Sequence, residues 1–344
     1  MLTAKQNMQE VMKGGNPERF VNQFEALQLL FHPYVTMPGA LLSKGEVDVV
    51  NPWGVTNSFP ENVPGQFPVH TKEKILIKDI EHWQDYVKVP SLDYPDAMWD
   101  AFKEQYDAVD GDQAYKATFI APGMFEQTHH LCEIANALEY YALYPDEMHD
   151  LIRCITDWEL RMLDDILTKL KPTAIFHHDD WGGEKSTFMS PNMFADFFVE
   201  PYKEIYKLCH DKGAEIVVHH SDSYSETLVP HMIEMGIDVW QGGMASNNFK
   251  DMIAKYGGQI TFMGGIDNKQ MDFPGWTRED CAKAARTACE IGTKYYIPCI
   301  TQGGGGSVFP GAYAVLAEEI DKMSAEVFGI KVEDITRLPH QILF

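Results

Sequence analysis

Two segments rich in histidine and aspartate each follow an apolar run, and their side chains could bind a metal ion or move protons. The first is "HHDDWGGE" (177–184), after "PTAIF", and the second is "HHSDSY" (219–224), after "EIVV". Residues two apart in an extended segment point to the same side, so His220 and Asp222 can reach one ion. The alternative interpretation is a hydrogen-bonded core histidine followed by an aspartate that caps the next helix.

The first segment also carries three carboxylates. Asp179 and Asp180 are adjacent, so at a strand end they must face opposite ways. We expect one of them to point into a site, where paired carboxylates can separate their pKa values for acid–base work, and the other to brace the backbone. Glu184 lies in the following loop and is either a further ligand or general acid, or a solvated carboxylate.

A later apolar run ends in "PCITQGGGG" (298–306), which places Cys299 and Gln302 near a strand end. Cys299 is either a metal ligand or a small buried hydrophobic residue. The glycines at 303–306 are followed by neither the Lys-Ser/Thr of a P-loop nor the spacing of a dinucleotide-binding loop. They therefore do not indicate a cofactor that carries phosphates.

The elements that must position these residues alternate between β-rich runs and helical patterns. The runs are 115–122, 172–178, 215–221, 237–242, 259–267 and 294–301. Helical patterns lie between most of them, and the segment 190–213 begins with a Ser-Pro cap and ends at a glycine. The alternation predicts an α/β fold, a (β/α)8 TIM barrel forming a single domain over 1–344 with an N-terminal helical and loop extension over about 1–70. In such a barrel, functional groups lie at the carboxyl ends of the strands, where all of these residues fall.

Composition excludes several classes of partner. With 28 basic and 51 acidic residues the formal net charge is −23, which disfavours nucleic acid. Only six arginines are present (19, 153, 161, 278, 286 and 337), so a ligand with many carboxylates is disfavoured too. Six dispersed cysteines, the lack of an apolar signal core and the lack of a membrane-length apolar window predict a soluble cytoplasmic protein that does not contact membranes. A homo-oligomer is compatible with the sequence.

Four segments resemble the uroporphyrinogen decarboxylase superfamily: "VDVVNPWGVTNSFP", "DDWGGEKSTFMSP", "VVHHSDSYSETLVPHMIEMGIDVWQ" and "ITFMGGIDN". The resemblance runs from the opening helix to about residue 328 and implies a (β/α)8 barrel. True decarboxylases of this superfamily carry an arginine-rich N-terminal motif, whereas the corresponding region here is "FHPYVTMPGAL". Thiol-methylating members of the corrinoid-dependent branch bind zinc through a His-x-Cys pair and a later cysteine. Here the pair is His220-x-Asp222, and the later cysteine aligns only loosely, with Cys299, Thr301 or Gln302.

The resemblance therefore implies an O-demethylase methyltransferase, which moves a methyl group from a small aryl methyl ether to cob(I)alamin on a partner corrinoid protein. Asp180 and Asp222 are the implied catalytic residues, and His220, Glu184 and Cys299 are the implied zinc ligands. The implied substrate-binding residues are His178, Trp181, Tyr224, Trp240, Met124 and Gln302. The alternatives are a methyltransferase for a thiol or another methyl donor, a decarboxylase, and a non-catalytic binding barrel.

Overall fold

The computed structural model describes residues 1–61, 63, 65–302 and 309–338. The glycine run at 303–306 lies outside the described residues. In chain order, the strands are β1 (Leu27–Leu30), β2 (Val49–Val50), β3 (Thr56–Ser58), β4 (Phe67–Pro68), β5 (Tyr115–Ile120), β6 (Ala174–His178), β7 (Ile216–His220), β8 (Val239–Gly243), β9 (Thr261–Ile266) and β10 (Tyr296–Ile300).

The helices lie mostly between these strands, as the alternating pattern predicts. In chain order they are α1 (Ala4–Met12), α2 (Asp96–Ala108), α3 (Met124–Cys132), α4 (Ile134–Leu143), α5 (Pro145–Lys169), α6 (Pro191–Phe194), α7 (Glu200–Asp211), α8 (Val229–Met235), α9 (Phe249–Tyr256), α10 (Arg278–Cys289) and α11 (Ala312–Phe328). A π-helical segment, Ala195–Val199, joins α6 to α7, and Ser190 caps α6 by accepting a hydrogen bond from the backbone N–H of Met193. In the described part of the chain, no helix is both long and apolar enough to cross a membrane.

Seven parallel strands form one curled sheet in the order β1-β5-β6-β7-β8-β9-β10. The six β-rich runs of the sequence coincide with β5 to β10, and the predicted α/β fold of the TIM-barrel type is confirmed. The two outer strands of the sheet approach each other, because the side chain of Gln23, just before β1, accepts a hydrogen bond from the backbone N–H of Ile300 on β10. β1 was not predicted, and it lies within residues 1–70, the segment that the sequence assigns to an N-terminal extension.

The rest of residues 1–70 includes a helix at one end of the barrel and a small separate sheet. Helix α1 lies at the amino ends of the strands, where Val11 accepts a backbone hydrogen bond from Tyr295, the residue before β10. The short antiparallel sheet β2-β3-β4 is separate from the barrel sheet.

The alternation of side chains along the strands divides the apolar core into two clusters. Ala174 and Phe176 of β6 belong to the cluster that fills the barrel and continues to α1, α10 and α11, whereas Ile175 belongs to the cluster between the sheet and the other helices. Since successive residues of a strand point to opposite faces, this pattern continues into the polar residues that follow. His178 and Asp180 therefore lie on the inner side, and His177 and Asp179 lie on the outer side.

Candidate metal site

Three polar side chains form a row across the barrel mouth on neighbouring strands. The strand register pairs His178 of β6 with His220 of β7, and His220 with Gln241 of β8. Because paired residues of adjacent parallel strands lie side by side, the imidazoles of His178 and His220 stack with ring centroids 4.3 Å apart and an interplanar angle of 23°. The row lies directly above the apolar interior of the barrel, because Phe176 is the inner residue before His178.

Asp180 completes a cluster of possible metal ligands with the two histidines. One ligand atom from each of His178, Asp180 and His220 lies within 4.8 Å of the others. Nε2 of His220 is 3.7 Å from Oδ1 of Asp180. The same carboxylate oxygen accepts a 2.8 Å hydrogen bond from the backbone N–H of Asp222, and this bond ties the ends of β6 and β7 together.

A buried carboxylate orients the first of these histidines. Nδ1 of His178 lies 2.9 Å from Oε2 of Glu126, which leaves Nε2 as the nitrogen available to an ion. Burial opposes protonation of His178, but the carboxylates of Glu126 and Asp180 outweigh it and raise the pKa of the imidazole to about 10. The metal-free cluster therefore carries an imidazolium beside its carboxylates.

Asp179 explains how Glu126 reaches the mouth. Its carboxylate accepts hydrogen bonds from the backbone N–H groups of Phe125 (3.0 Å) and Glu126 (2.7 Å), in the first turn of α3. Gly123 allows this approach, because a Cβ atom there would lie 2.4 Å from Cβ of Asp179. Of the two adjacent aspartates, Asp179 therefore braces the backbone of α3, whereas Asp180 lies with His178 and His220 at the barrel mouth.

Carboxyl groups at the mouth have raised pKa values. Burial, opposed by His178 and reinforced by Glu126, raises the pKa of Asp180 to about 6. Burial and then the neighbouring Asp180 raise the pKa of Asp222 to about 7. Asp180 and Asp222 thus form an acidic pair at the rim, and the side chain of Gln302 hydrogen-bonds to Asp222.

The two outer histidines belong to a buried hydrogen-bond chain rather than to the cluster. The backbone carbonyl of Asp179 only accepts, so His219 donates to it through Nε2 (3.2 Å) and accepts from Tyr206 through Nδ1 (2.7 Å). Tyr206 must then accept from Nδ1–H of His177 (3.2 Å). Nε2 of His177 lies 3.2 Å from Oε1 of Glu159, but within the described residues neither of these two buried atoms has a hydrogen-bond partner. Burial, and then the neighbouring Asp179, raises the pKa of Glu159 well above its ordinary range, which favours the protonated carboxyl group.

The donor set of the inner cluster fits zinc. Two imidazole nitrogens and one carboxylate oxygen are common zinc ligands, and three protein ligands leave one position of a tetrahedral ion for water or substrate. Ligand atoms on tetrahedral zinc lie roughly 3.3 Å apart, because the Zn–N and Zn–O bonds are about 2.0 Å long. Small side-chain rotations would bring the cluster, now within 4.8 Å, to that spacing.

Of the predicted zinc ligands, the structure brings only His220 into this cluster. Glu184 is exposed in the loop after β6 and forms an ion pair with Lys269 at 2.8 Å, both side chains being 59% accessible. Cys299 is buried inside the barrel, where its Sγ lies 3.8 Å from Nε2 of Gln241. Burial raises the pKa of this thiol well above its usual range.

The predicted catalytic and substrate residues divide between the mouth and the outer layer. Asp180, Asp222, His178 and Gln302 lie at the mouth, as described above. Trp181 stacks on His219 with ring centroids 3.9 Å apart, and the indole N–H of Trp240 donates to the carbonyl of Ser221, so both indoles are buried between sheet and helices. Met124 is buried at the start of α3, and the Tyr224 hydroxyl donates to Glu226.

Four residues of the mouth were not predicted: Glu126, Gln241, Phe31 and Phe119. Gln241 had a signal in the sequence, since it is a polar residue two positions after Val239, on the same inner face of a buried strand. Phe119 is the inner residue near the end of β5, and its ring centroid lies 6.4 Å from that of His178. Phe31 meets Phe119 edge-on at 6.1 Å, and both rings are half-buried.

The fold and the position of the cluster are those of an α/β-barrel protein whose functional groups lie at the carboxyl ends of the strands. The model of the uroporphyrinogen decarboxylase (URO-D) family matches residues 53–302, and the chain belongs to that family. The structure is similar to that of a methyltransferase from Methanosarcina mazei, with a TM-score of 0.65 and 14% sequence identity over 94% of this chain and 99% of the other. A more distant similarity is to an endo-β-1,4-mannanase of Cellulomonas fimi, with a TM-score of 0.41 and 11% identity over 97% of this chain and 76% of the other. A comparison with curated protein sequences finds no significant match.

Proposed function

We propose that the protein is a zinc-dependent methyltransferase that moves a methyl group from a small aryl methyl ether to the cob(I)alamin of a partner corrinoid protein. The observation that carries the proposal is the cluster of His178, Asp180 and His220 at the barrel mouth, which offers nitrogen and oxygen donors. Membership of the URO-D family and the fold shared with a methyltransferase support methyl transfer as the reaction class.

The donor types favour an ether oxygen over a thiol as the group that meets the ion. Soft thiolate ligands suit soft partners, whereas imidazole and carboxylate ligands leave zinc a harder Lewis acid. Cys299, the cysteine that a thiol-activating site would use, is instead buried beside Gln241 and its thiol is neutral. The same two-histidine, one-carboxylate set also suits Fe(II), but methyl transfer requires no change in the oxidation state of the ion, and zinc is the simpler assignment.

A carboxyl group beside the cluster can donate the proton that the leaving oxygen requires. When the methyl–oxygen bond breaks, its electron pair stays on the phenolic oxygen and the methyl group passes to cobalt. Zinc, when bound by the three ligands, would supply positive charge that stabilises this oxygen. Asp222 lies beside Asp180, and its carboxyl proton can pass to the phenolate oxygen. Glu126 holds His178 in place while this happens.

An aromatic ether fits both the chemistry and the walls of the mouth. Phenols have a pKa near 10, judged from tyrosine, whereas water lies at about 15.7, so a phenolate is by far the better leaving group. Phe119 presents a half-buried ring close to His178, and the half-buried ring of Phe31 packs against Phe119. Such rings pack well against an aromatic substrate.

The arginines make a porphyrinogen a poor substrate. In the described residues, five of the six are ion-paired away from the mouth: Arg19 with Glu25, Arg153 with Asp157 and Glu204, Arg278 with Glu318 and Glu319, Arg286 with Glu326, and Arg337 with Asp321. Arg161 is exposed on α5. A substrate with several carboxylates would lack the bidentate partners that such groups require.

The proposal is tested by mixing the zinc-loaded protein anaerobically with a corrinoid protein reduced to Co(I) and a panel of methoxylated phenols. We expect the Co(I) absorbance to convert to that of methyl-Co(III) with release of the free phenol, and His220→Ala to abolish the conversion. Failure with every methoxyaromatic would overturn the proposal. Methylation of a thiol by methyl-Co(III), or release of CO2 without a corrinoid protein, would favour the alternative activities.

A further inference from the structure

Gln241 is fully buried on the inner face of β8, and each end of its amide has a defined partner. Nε2 donates to the backbone carbonyl of Ile300 on β10 at 3.0 Å, and Oε1 faces Nδ1 of His220 on β7. The side chain thus spans the barrel interior from β10 to the cluster.

These contacts define where the hydrogen of His220 lies. A carbonyl oxygen only accepts hydrogen bonds, so the amide end that faces Ile300 must be the NH2 group. The other end is then a carbonyl oxygen, and it requires a hydrogen on Nδ1 of His220. A neutral imidazole with its hydrogen on Nδ1 has its lone pair on Nε2, and this is the nitrogen that lies 3.7 Å from Asp180.

We infer that Gln241 is a positioning residue that holds His220 as the Nδ1–H tautomer and directs its Nε2 lone pair to a metal ion. The inference rests on the proposed metal site. Residues that hold a ligand histidine in this way typically change metal affinity by about 10- to 100-fold when they are removed. In addition, Gln241 links His220 on β7 to the backbone of Ile300 on β10, so a shift of β10 would change the orientation of a proposed metal ligand on β7.

Two variants separate orientation from packing. Gln241→Met keeps the length and volume of the side chain but removes the acceptor. Gln241→Glu, whose buried carboxyl group is protonated and donates to the carbonyl of Ile300, keeps an oxygen facing Nδ1. The matched control is Gln259→Met, at an exposed position before β9 and at the opposite end of the barrel.

The first measurement uses the zinc-free protein and long-range ¹H–¹⁵N spectra of labelled histidine, with His220→Ala to assign the signals. We expect the Nδ1–H tautomer at His220 in the wild type and in Gln241→Glu, and a shift towards Nε2–H in Gln241→Met. An Nε2–H tautomer at His220 in the wild type would overturn the inference whatever the two Gln241 variants show.

The second measurement is zinc affinity, determined by competition with a chromophoric chelator. We expect Gln241→Met to bind zinc about 10- to 100-fold more weakly than the wild type, and Gln241→Glu and Gln259→Met to stay within about threefold. Equal losses in Gln241→Met and Gln241→Glu, or no loss in either, would overturn the inference. If the wild type itself bound no zinc, the proposed metal site would fail, while the tautomer spectra would still decide the role of Gln241.

Discussion

Nδ1 of His178 lies 2.9 Å from the carboxylate of Glu126, so the imidazole that faces the cluster is held from behind by a buried negative charge. Glu126 reaches this position because Asp179 holds the first turn of α3 against the end of β6. The ligand histidine and its orienting carboxylate therefore depend on one strand–helix junction.

Glu126→Ala should weaken zinc binding about 10- to 100-fold, because His178 would lose the group that fixes its ring and raises its basicity. Glu126→Gln keeps an acceptor but removes the charge, so its affinity should fall between those of the wild type and Glu126→Ala. Chelator competition measures both, with the exposed Glu139→Ala on α4 as the control. An unchanged affinity in Glu126→Ala would mean that Glu126 does not orient a ligand of the ion.

Cys299→Ala should retain its zinc. The thiol is buried and neutral beside Gln241, so the variant should lose about 1 kcal/mol of stability from reduced burial while its zinc content stays at that of the wild type. Elemental analysis of the purified variant and a urea titration test this. Loss of zinc in a folded Cys299→Ala would instead support a thiolate ligand and the thiol methyltransferase alternative.

Phe119→Leu should weaken the binding of the aromatic substrate without affecting the ion. Leucine keeps the wall apolar but removes the ring face, which is worth about 0.5–1.5 kcal/mol against another aromatic ring. We expect KM for a methoxylated phenol to rise roughly two- to tenfold, with zinc affinity unchanged. Phe328→Leu, which removes a half-buried ring from α11, is the control. A KM as low in Phe119→Leu as in the control would exclude this ring as a substrate wall.

Glu159 should make the protein less stable as the pH rises. Burial raises the pKa of this carboxyl far above its ordinary value of 4.5. Between those two values the unfolded chain has lost the proton and the folded chain has kept it, so the free energy of unfolding falls with rising pH. The neutral amide in Glu159→Gln removes this slope.

The stability difference is best measured between pH 7 and 9. Burial lowers the pKa of His177 to about 3, below its ordinary value of 6.5. The stability that His177 contributes is therefore constant between pH 7 and 9, and it is lost only as the pH falls below the pKa of the unfolded chain. In urea titrations, we expect the free energy of unfolding of Glu159→Gln to increase relative to that of the wild type by up to about 1.4 kcal/mol for each unit of rising pH. A difference that does not vary with pH would mean that Glu159 is ionised in the folded protein.

The six β-rich runs could be predicted from the sequence because each is a continuous apolar segment between helical patterns. The first barrel strand could not, since "LQLL" is only four residues long and follows a polar stretch. Alternation along the chain identified the inner side of β7, and the same rule would have placed Trp181 and Trp240 on the outer side. His178 was predicted to bind substrate rather than metal, because its place beside His220 depends on the register between two strands, which a single sequence does not contain.

Glu184 shows why loop residues are harder to place than strand residues. The loop after Trp181 folds back on itself, with Gly183 donating to the carbonyl of Ser186, and this geometry directs the carboxylate to Lys269 instead of His220. Nothing in the residue types of "WGGEK" reveals that turn. Glu126 was missed for a related reason, because it comes to His178 from a helix 52 residues away in the chain.

X-ray absorption at the zinc edge, with zinc-to-protein stoichiometry, tests most directly whether the barrel mouth holds the ion. One zinc per chain is expected in the wild type, bound by two imidazole nitrogens and oxygen ligands. Asp180→Asn should weaken zinc binding at least tenfold, and the exposed, ion-paired Glu184→Gln should leave it unchanged. A sulfur ligand, no zinc in the wild type, or loss of zinc in Glu184→Gln with retention in Asp180→Asn would contradict the assignment of His178, Asp180 and His220 as the metal site.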